Sequence, residues 1–130
     1  MISVKNLTKT YGDITAVNDV SFTISKGEII GILGPNGAGK TSIMNILTCL
    51  IPPTSGDVYI ENKSIYEDSL HIRNQIGYLA ENNPLYLHMT VIDYLKFIAT
   101  IRFRSKTTID KAINRAVGLC KLESVLLQRI

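Results

Sequence analysis

No apolar run in this 130-residue sequence approaches the ~20 residues a helix needs to cross a bilayer. The opening residues, Met1-Ile2-Ser3-Val4-Lys5, lack the pattern of a secretory signal. Only two cysteines occur, Cys49 and Cys120, far apart and each expected on a helix beside apolar residues. They argue against a disulfide framework or a cysteine metal site and fit buried, reduced thiols in a cytosolic setting. A basic stripe is missing too. The net charge is +3, and the basic residues are scattered except for Arg102, Arg104 and Lys106. That trio suits a helix C-terminus, where cations oppose the dipole, better than a nucleic-acid surface. The remaining composition, 45% hydrophobic and 19% charged, is that expected of a soluble globular chain one domain long.

What the sequence does have is concentrated between Glu28 and Leu50. Ile29-Ile30-Gly31-Ile32-Leu33 reads as a buried strand of the parallel-sheet kind. It runs into Gly34-Pro35-Asn36-Gly37-Ala38-Gly39-Lys40-Thr41-Ser42, and a helix follows with apolar residues at Ile43, Ile46, Leu47 and Leu50. Gly-x-x-x-x-Gly-Lys-Thr between a strand and a helix is the pattern of a polyphosphate cradle. Successive backbone N–H groups of a curled loop supply donors to the anion. Glycines at 34, 37 and 39 permit positive φ and keep side chains out of the way. The helix dipole adds its positive end. Lys40 is placed to reach the β- and γ-phosphates and the Thr41 hydroxyl to ligate Mg²⁺, with Ser42 offering a hydroxyl nearer the α-phosphate. Without its context, the bare pattern arises by chance in roughly one in 160 chains of this composition.

Along the rest of the chain, residues 2–7 and 14–24 are expected as strands, with Tyr11-Gly12-Asp13 as the turn between them. In the second strand Val20, Phe22 and Ile24 share one face, Ser21 and Thr23 the other. Asp57–Ile60 is a further strand, Glu61-Asn62-Lys63 a turn, Ser69–Asn74 a short helix, and Ile76–Leu79 a buried strand. Thr90-x-x-Asp93 and Thr107-x-x-Asp110 fit loose capping boxes opening two helices. Val91, Tyr94, Leu95, Ile98 and Ile101 share a face of the first. Ile109, Ala112, Ile113, Ala116, Val117 and Cys120 share one of the second.

Leu7-Thr8-Lys9-Thr10-Tyr11-Gly12, Ala16-Val17-Asn18-Asp19-Val20-Ser21-Phe22, Lys26-Gly27-Glu28 and the Gly34–Ser42 loop together resemble the N-terminal part of an ABC transporter ATP-binding subunit. The resemblance implies an α/β, P-loop NTPase fold of ABC type. Its parts would be an N-terminal antiparallel β subdomain, a partial parallel core sheet and the start of a helical subdomain. The core would cover residues 1–89 and the helical part residues 90–130. It implies ATP and Mg²⁺ as cofactors, with Tyr11 stacking on adenine and Val17 lining the base. In the family the strand ending near 80 is followed by a glutamine that touches Mg²⁺ or the attacking water. Here Glu81 stands in its place, a departure similar to that of export-type (ABC-2) relatives. Glu81 is therefore a candidate metal and catalytic residue beside Lys40, with a solvated loop carboxylate as the other reading. Pro84, Leu85, Tyr86, Leu87 and Met89 are the expected contact with a membrane-spanning permease, since exposed apolar clusters mark partner surfaces.

The resemblance further implies a second ATP-binding domain as partner, no nucleic acid, and a cytoplasmic position on the inner face of the cell membrane. The sequence contains no Leu-Ser-Gly-Gly-Gln-like signature and no apolar strand ending in Asp-Glu. Neither His71 nor His88 stands where the family's switch histidine would. The C-terminal half of the family's domain is thus expected to be absent, leaving ATP binding without fast hydrolysis and sheet edges without neighbours. Three other readings remain open: a soluble ABC ATPase outside transport, a non-ABC P-loop kinase, and a binding-only fragment.

Overall fold

Two strands and a two-residue turn begin the chain. β1 (Ile2–Tyr11) and β2 (Ile14–Ile24) pair antiparallel around Gly12-Asp13, with Gly12 at φ 57°. Glycine at the first central position is what a type II′ hairpin uses. β1 therefore runs four residues past the expected end at Leu7, because Lys9, Thr10 and Tyr11 still find partners in Val17, Thr15 and Ile14. β3 (Ser55–Ile60) pairs with the other edge of β1, and the short β4 (Lys63–Ser64) follows through Glu61 and Asn62. Those two residues sit at φ 49° and 64°, the left-handed pair of a type I′ turn. The sheet order is β2-β1-β3-β4, with every pairing antiparallel.

Strict alternation would put Val4 and Leu7 on opposite faces, yet both are buried. The structure resolves this with one extra residue in β1. Val4 to Leu7 on β1 spans Phe22 to Val20 on β2, and Lys5 to Thr8 spans Asp57 to Ser55 on β3. Asn6 occupies the bulge at φ 49°, its N–H donating to Ser21 Oγ at 2.8 Å and its side-chain amide to Asp19 Oδ1 at 2.8 Å. Gly56 lies against it. A Cβ there would come within 2.4 Å of the Asn6 carbonyl oxygen.

The structure is a computed structural model describing residues 1–130, which form two compact units, Met1–Leu79 and Ala80–Ile130. In the first, Val4, Leu7, Val17, Val58 and Ile60 of the sheet meet Ile43, Ile46 and Leu47 of α1 (Lys40–Leu47) and Ile72 of α2 (Ser69–Gln75). Each such side chain contributes roughly 1.5–3 kcal/mol by leaving water. The second unit holds α3 (Val91–Arg102) and α4 (Lys106–Cys120), with Ala99 and Ile113 buried. The second unit begins at Ala80 and so includes the segment before α3. Tyr86 packs edge-on against Phe97 at 5.5 Å, and Met89 O accepts from Ile130 N–H at 3.1 Å, which ties the segment before α3 to the helical unit.

Several expectations fail for identifiable reasons. Ile29–Leu33 and Ile76–Leu79 enter no ladder, so the partial parallel core sheet is not formed here. A parallel strand takes its hydrogen bonds from neighbours, and no segment of these 130 residues pairs with either stretch. Ile29 and Leu33 are almost fully exposed in consequence. Leu50 lies past the end of α1 and is exposed, as are Ile98 and Ile101 of α3. The cap of α3 is as expected, Thr90 Oγ1 accepting from Asp93 N–H. That of α4 is not. The helix begins at Lys106 after Ser105, so Thr107 lies inside its first turn. Both cysteines are free, but Cys120 is exposed at the last residue of α4, where no neighbouring element covers it. Cys49 is half-buried, and burial pushes its thiol pKa up despite the opposing Arg73 charge.

Candidate functional site

The glycine loop is pinned from below by the sheet. Gly39 caps α1 in the left-handed region at φ 83°, and a Cβ there would sit 2.1 Å from the Ala16 carbonyl oxygen of β2. Backbone thus touches backbone where loop becomes helix, and only glycine satisfies both the angle and the space. Val17 adjoins the same contact, its Cγ2 lying 3.2 Å from that Cβ position. At 4% exposure it is a floor beneath the loop and a core residue, a position that leaves little surface for lining a base. Gly37 turns the loop at φ 84°, and Ala38 N–H donates to Pro35 O at 3.2 Å, closing its curl.

Helix geometry leaves the first N–H groups of α1 without intrahelical acceptors. The first such bond is Ile43 N–H to Gly39 O at 3.0 Å. Lys40, Thr41 and Ser42 therefore present their N–H groups at the mouth of the loop, with no side-chain cap and no acidic residue in the first turn. The Lys40 ammonium lies across that mouth, donating to Gly34 O at 2.7 Å and Pro35 O at 2.6 Å. Dipole, amides and ammonium all favour an anion, and no nearby carboxylate opposes them. Asn36 and Thr41 are exposed, open to a ligand and its metal. The donor set fits a polyphosphate with one hydroxyl-bound cation; no cluster of three His, Cys, Asp or Glu side chains offers a resident metal site.

Tyr11, distant in sequence, lies beside this loop. Its hydroxyl is 3.3 Å from Ser42 Oγ, and its ring is 47% exposed. Lys9 is the residue that sequence reasoning missed. Its Nζ stands 5.1 Å from the Tyr11 ring centroid and donates to Pro52 O at 2.8 Å. The one signal for it is position, two residues before Tyr11 and so on the same face of a strand. The Ala16 contact was also missed.

Glu81 and Pro84–Met89 belong to the second unit. Glu81 is exposed on a bend. Leu85, Tyr86 and Leu87 are exposed at 43%, 47% and 70%, and Tyr86 also meets the rings of Phe97 and His88 edge-on.

The family described as ABC transporter matches residues 17–128. The chain is 38% identical over 123 residues to the lantibiotic transport ATP-binding protein SrtF of Streptococcus pyogenes, covering 95% of this chain and 52% of that protein. It is 35% identical over 129 residues to the methionine import ATP-binding protein MetN of Chlamydia felis, covering 94% of this chain and 38% of that one. Its fold is similar, with a TM-score of 0.81 and 31% identity, to the ATP-binding cassette MJ0796 in a dimeric post-hydrolysis state bound to ADP and Pi, covering 99% of this chain and 61% of that one. The chain therefore spans about half or less of the curated relatives it matches. Its strand-bound glycine loop, the tyrosine beside it and this match across most of its length place the chain in the ABC transporter ATP-binding family.

Proposed function

We propose that this chain is the nucleotide-holding part of an ABC transporter ATP-binding subunit, which couples ATP binding and hydrolysis to transport through a membrane-spanning permease. The observation that carries the reading is the α1 N-terminus, where three unbonded N–H groups and the Lys40 ammonium converge at the mouth of a loop fixed on β2. Gly34–Gly39 and the first turn of α1 would cradle the phosphates, Lys40 would hold the β- and γ-phosphates, and Ser42 the α-phosphate side. Thr41 would ligate Mg²⁺, which neutralises charge on the phosphate oxygens. Tyr11 would stack on the base, with Val17 acting from beneath the loop. Glu81 would accept from a metal-bound or attacking water.

Export is the direction favoured by Glu81 in place of glutamine. The relatives compared include both a lantibiotic transport protein and a methionine import protein, so direction rests on that residue. The exposed Leu85 and Leu87 support the permease contact across Pro84–Met89. A second cassette is the expected partner across the nucleotide. The subunit would sit on the inner face of the membrane through its permease; no helix of the chain is long and apolar enough to cross one.

The test is Mg-ATP binding and turnover by the 130-residue chain, with Lys40→Ala as control. A charge-assisted contact contributes about 1.5–3 kcal/mol, so the variant should bind at least about tenfold more weakly. Turnover should be near background in both, because no carboxylate in the sequence stands in the family's general-base position. Binding indifferent to Lys40 would overturn the reading of the loop, and Lys40-dependent turnover would overturn the reading of a missing base.

A further inference from the structure

We propose that Lys9 is a positioning residue for the base of the bound nucleotide, acting through the face of Tyr11 on which its ammonium rests. The inference deepens the proposed ATP site and rests on it. Three contacts carry it. The Lys9 Nζ lies 5.1 Å from the Tyr11 ring centroid, inside the range of a cation–π contact. The same ammonium donates to the Pro52 carbonyl at 2.8 Å, in the segment that follows α1. At the other end of the ring, the Tyr11 hydroxyl meets Ser42 Oγ at 3.3 Å, in the first turn of α1. The ring is thus tied to the start of the helix through its hydroxyl and to the segment beyond its end through Lys9.

A cation occupies one face of an aromatic ring and leaves the other for a stacked partner. Tyr11 retains 47% of its surface for that purpose. The ammonium draws π density toward itself, which lowers the repulsion a second π system meets on the opposite face. It also restricts the ring to fewer orientations before the base arrives, so less conformational freedom is lost on binding. Stacking needs no directional bonds, so the effect extends to purines generally. It does not extend to the phosphates, which Lys40 and the loop hold independently.

That separation gives the experiment. Calorimetric titration of the 130-residue chain with Mg-ATP and with Mg-tripolyphosphate is compared for wild type, Lys9→Met, Lys9→Arg, Tyr11→Leu and the Lys9→Met/Tyr11→Leu pair, with thermal midpoints recorded alongside. Lys9→Met should weaken Mg-ATP about three- to tenfold and leave tripolyphosphate unchanged. Lys9→Arg, which keeps both the cation and the donor, should restore ATP binding, and Lys9→Met should add nothing once Tyr11 is leucine. Equal weakening of both ligands, or failure of arginine to restore, would reduce Lys9 to a structural lysine and overturn the inference. If Tyr11→Leu weakens ATP and Lys9→Met does not, the inference falls while the stacking reading stands. If neither ligand binds the wild type in a Lys40-dependent way, the site reading falls and takes the inference with it.

Discussion

Gly39 answers two demands with one missing atom. Any other residue would meet the left-handed penalty of about 1–2 kcal/mol at φ 83°, and its Cβ would collide with the Ala16 carbonyl. Gly39→Ala must therefore either lift the loop from β2 or displace the first turn of α1. The expected result is a thermal midpoint several degrees lower, together with loss of Mg-ATP affinity, read by circular dichroism and calorimetry on the same preparation. An alanine variant that keeps both would mean the Ala16 contact is not required. The residue types at 34–42 were legible because the motif fixes them by spacing alone. The contact with Ala16 was not, because it depends on which strand passes beneath the loop. Lys9 was illegible for a similar reason: a lysine on a strand has meaning only once the ring beside it is placed.

The hairpin of β3 and β4 is tied back to the start of the sheet. The Met1 ammonium donates to Glu61 Oε1 at 2.6 Å, and that hydrogen bond, then the charge behind it, hold the Glu61 carboxyl below the usual carboxylate range. A folded-state pKa below the unfolded one gives stability that is present above the unfolded value and lost as pH falls through the folded value. Thermal midpoints of wild type and Glu61→Gln should differ at about pH 7, and the gap should narrow as pH falls below the ordinary glutamate value of about 4.3. A gap that persists or widens in acid would remove Glu61 from the account. At this scale the sequence was readable where local chemistry decides the matter: the Glu61-Asn62 turn, the Thr90 cap and the alternation of Val20, Phe22 and Ile24. It misled where a choice among neighbours decides. The pattern at Thr107 pointed to a cap there, but the helix starts one residue earlier, at Lys106 after Ser105.

For the whole chain, the main discrepancy is Ile29–Leu33, whose composition specifies a central strand and whose surroundings supply no partner. Ile29, Leu33 and Leu79 are exposed at 100%, 94% and 78%, and exposed apolar segments with free hydrogen-bonding groups seek pairing with other chains. The 130-residue chain should self-associate as concentration rises, and Ile29→Lys, away from the glycine loop, should reduce this. Light scattering across a dilution series reads both, and a concentration-independent monomer mass for the wild type would refute the expectation. Sequence pattern announces that a strand is wanted; only the other strands make it one.

The extra residue in β1 has a consequence for how this chain tolerates changes of length. Losing one residue elsewhere in β1 would reverse the facing of everything beyond it and turn core side chains toward water. Losing Asn6 would instead convert the three-residue step from Val4 to Leu7 into the ordinary two, making β1 commensurate with Phe22–Val20 on one side and Asp57–Ser55 on the other. The strand thus contains one position where a deletion preserves the inside and outside of the sheet, and it lies at the residue whose geometry is most irregular.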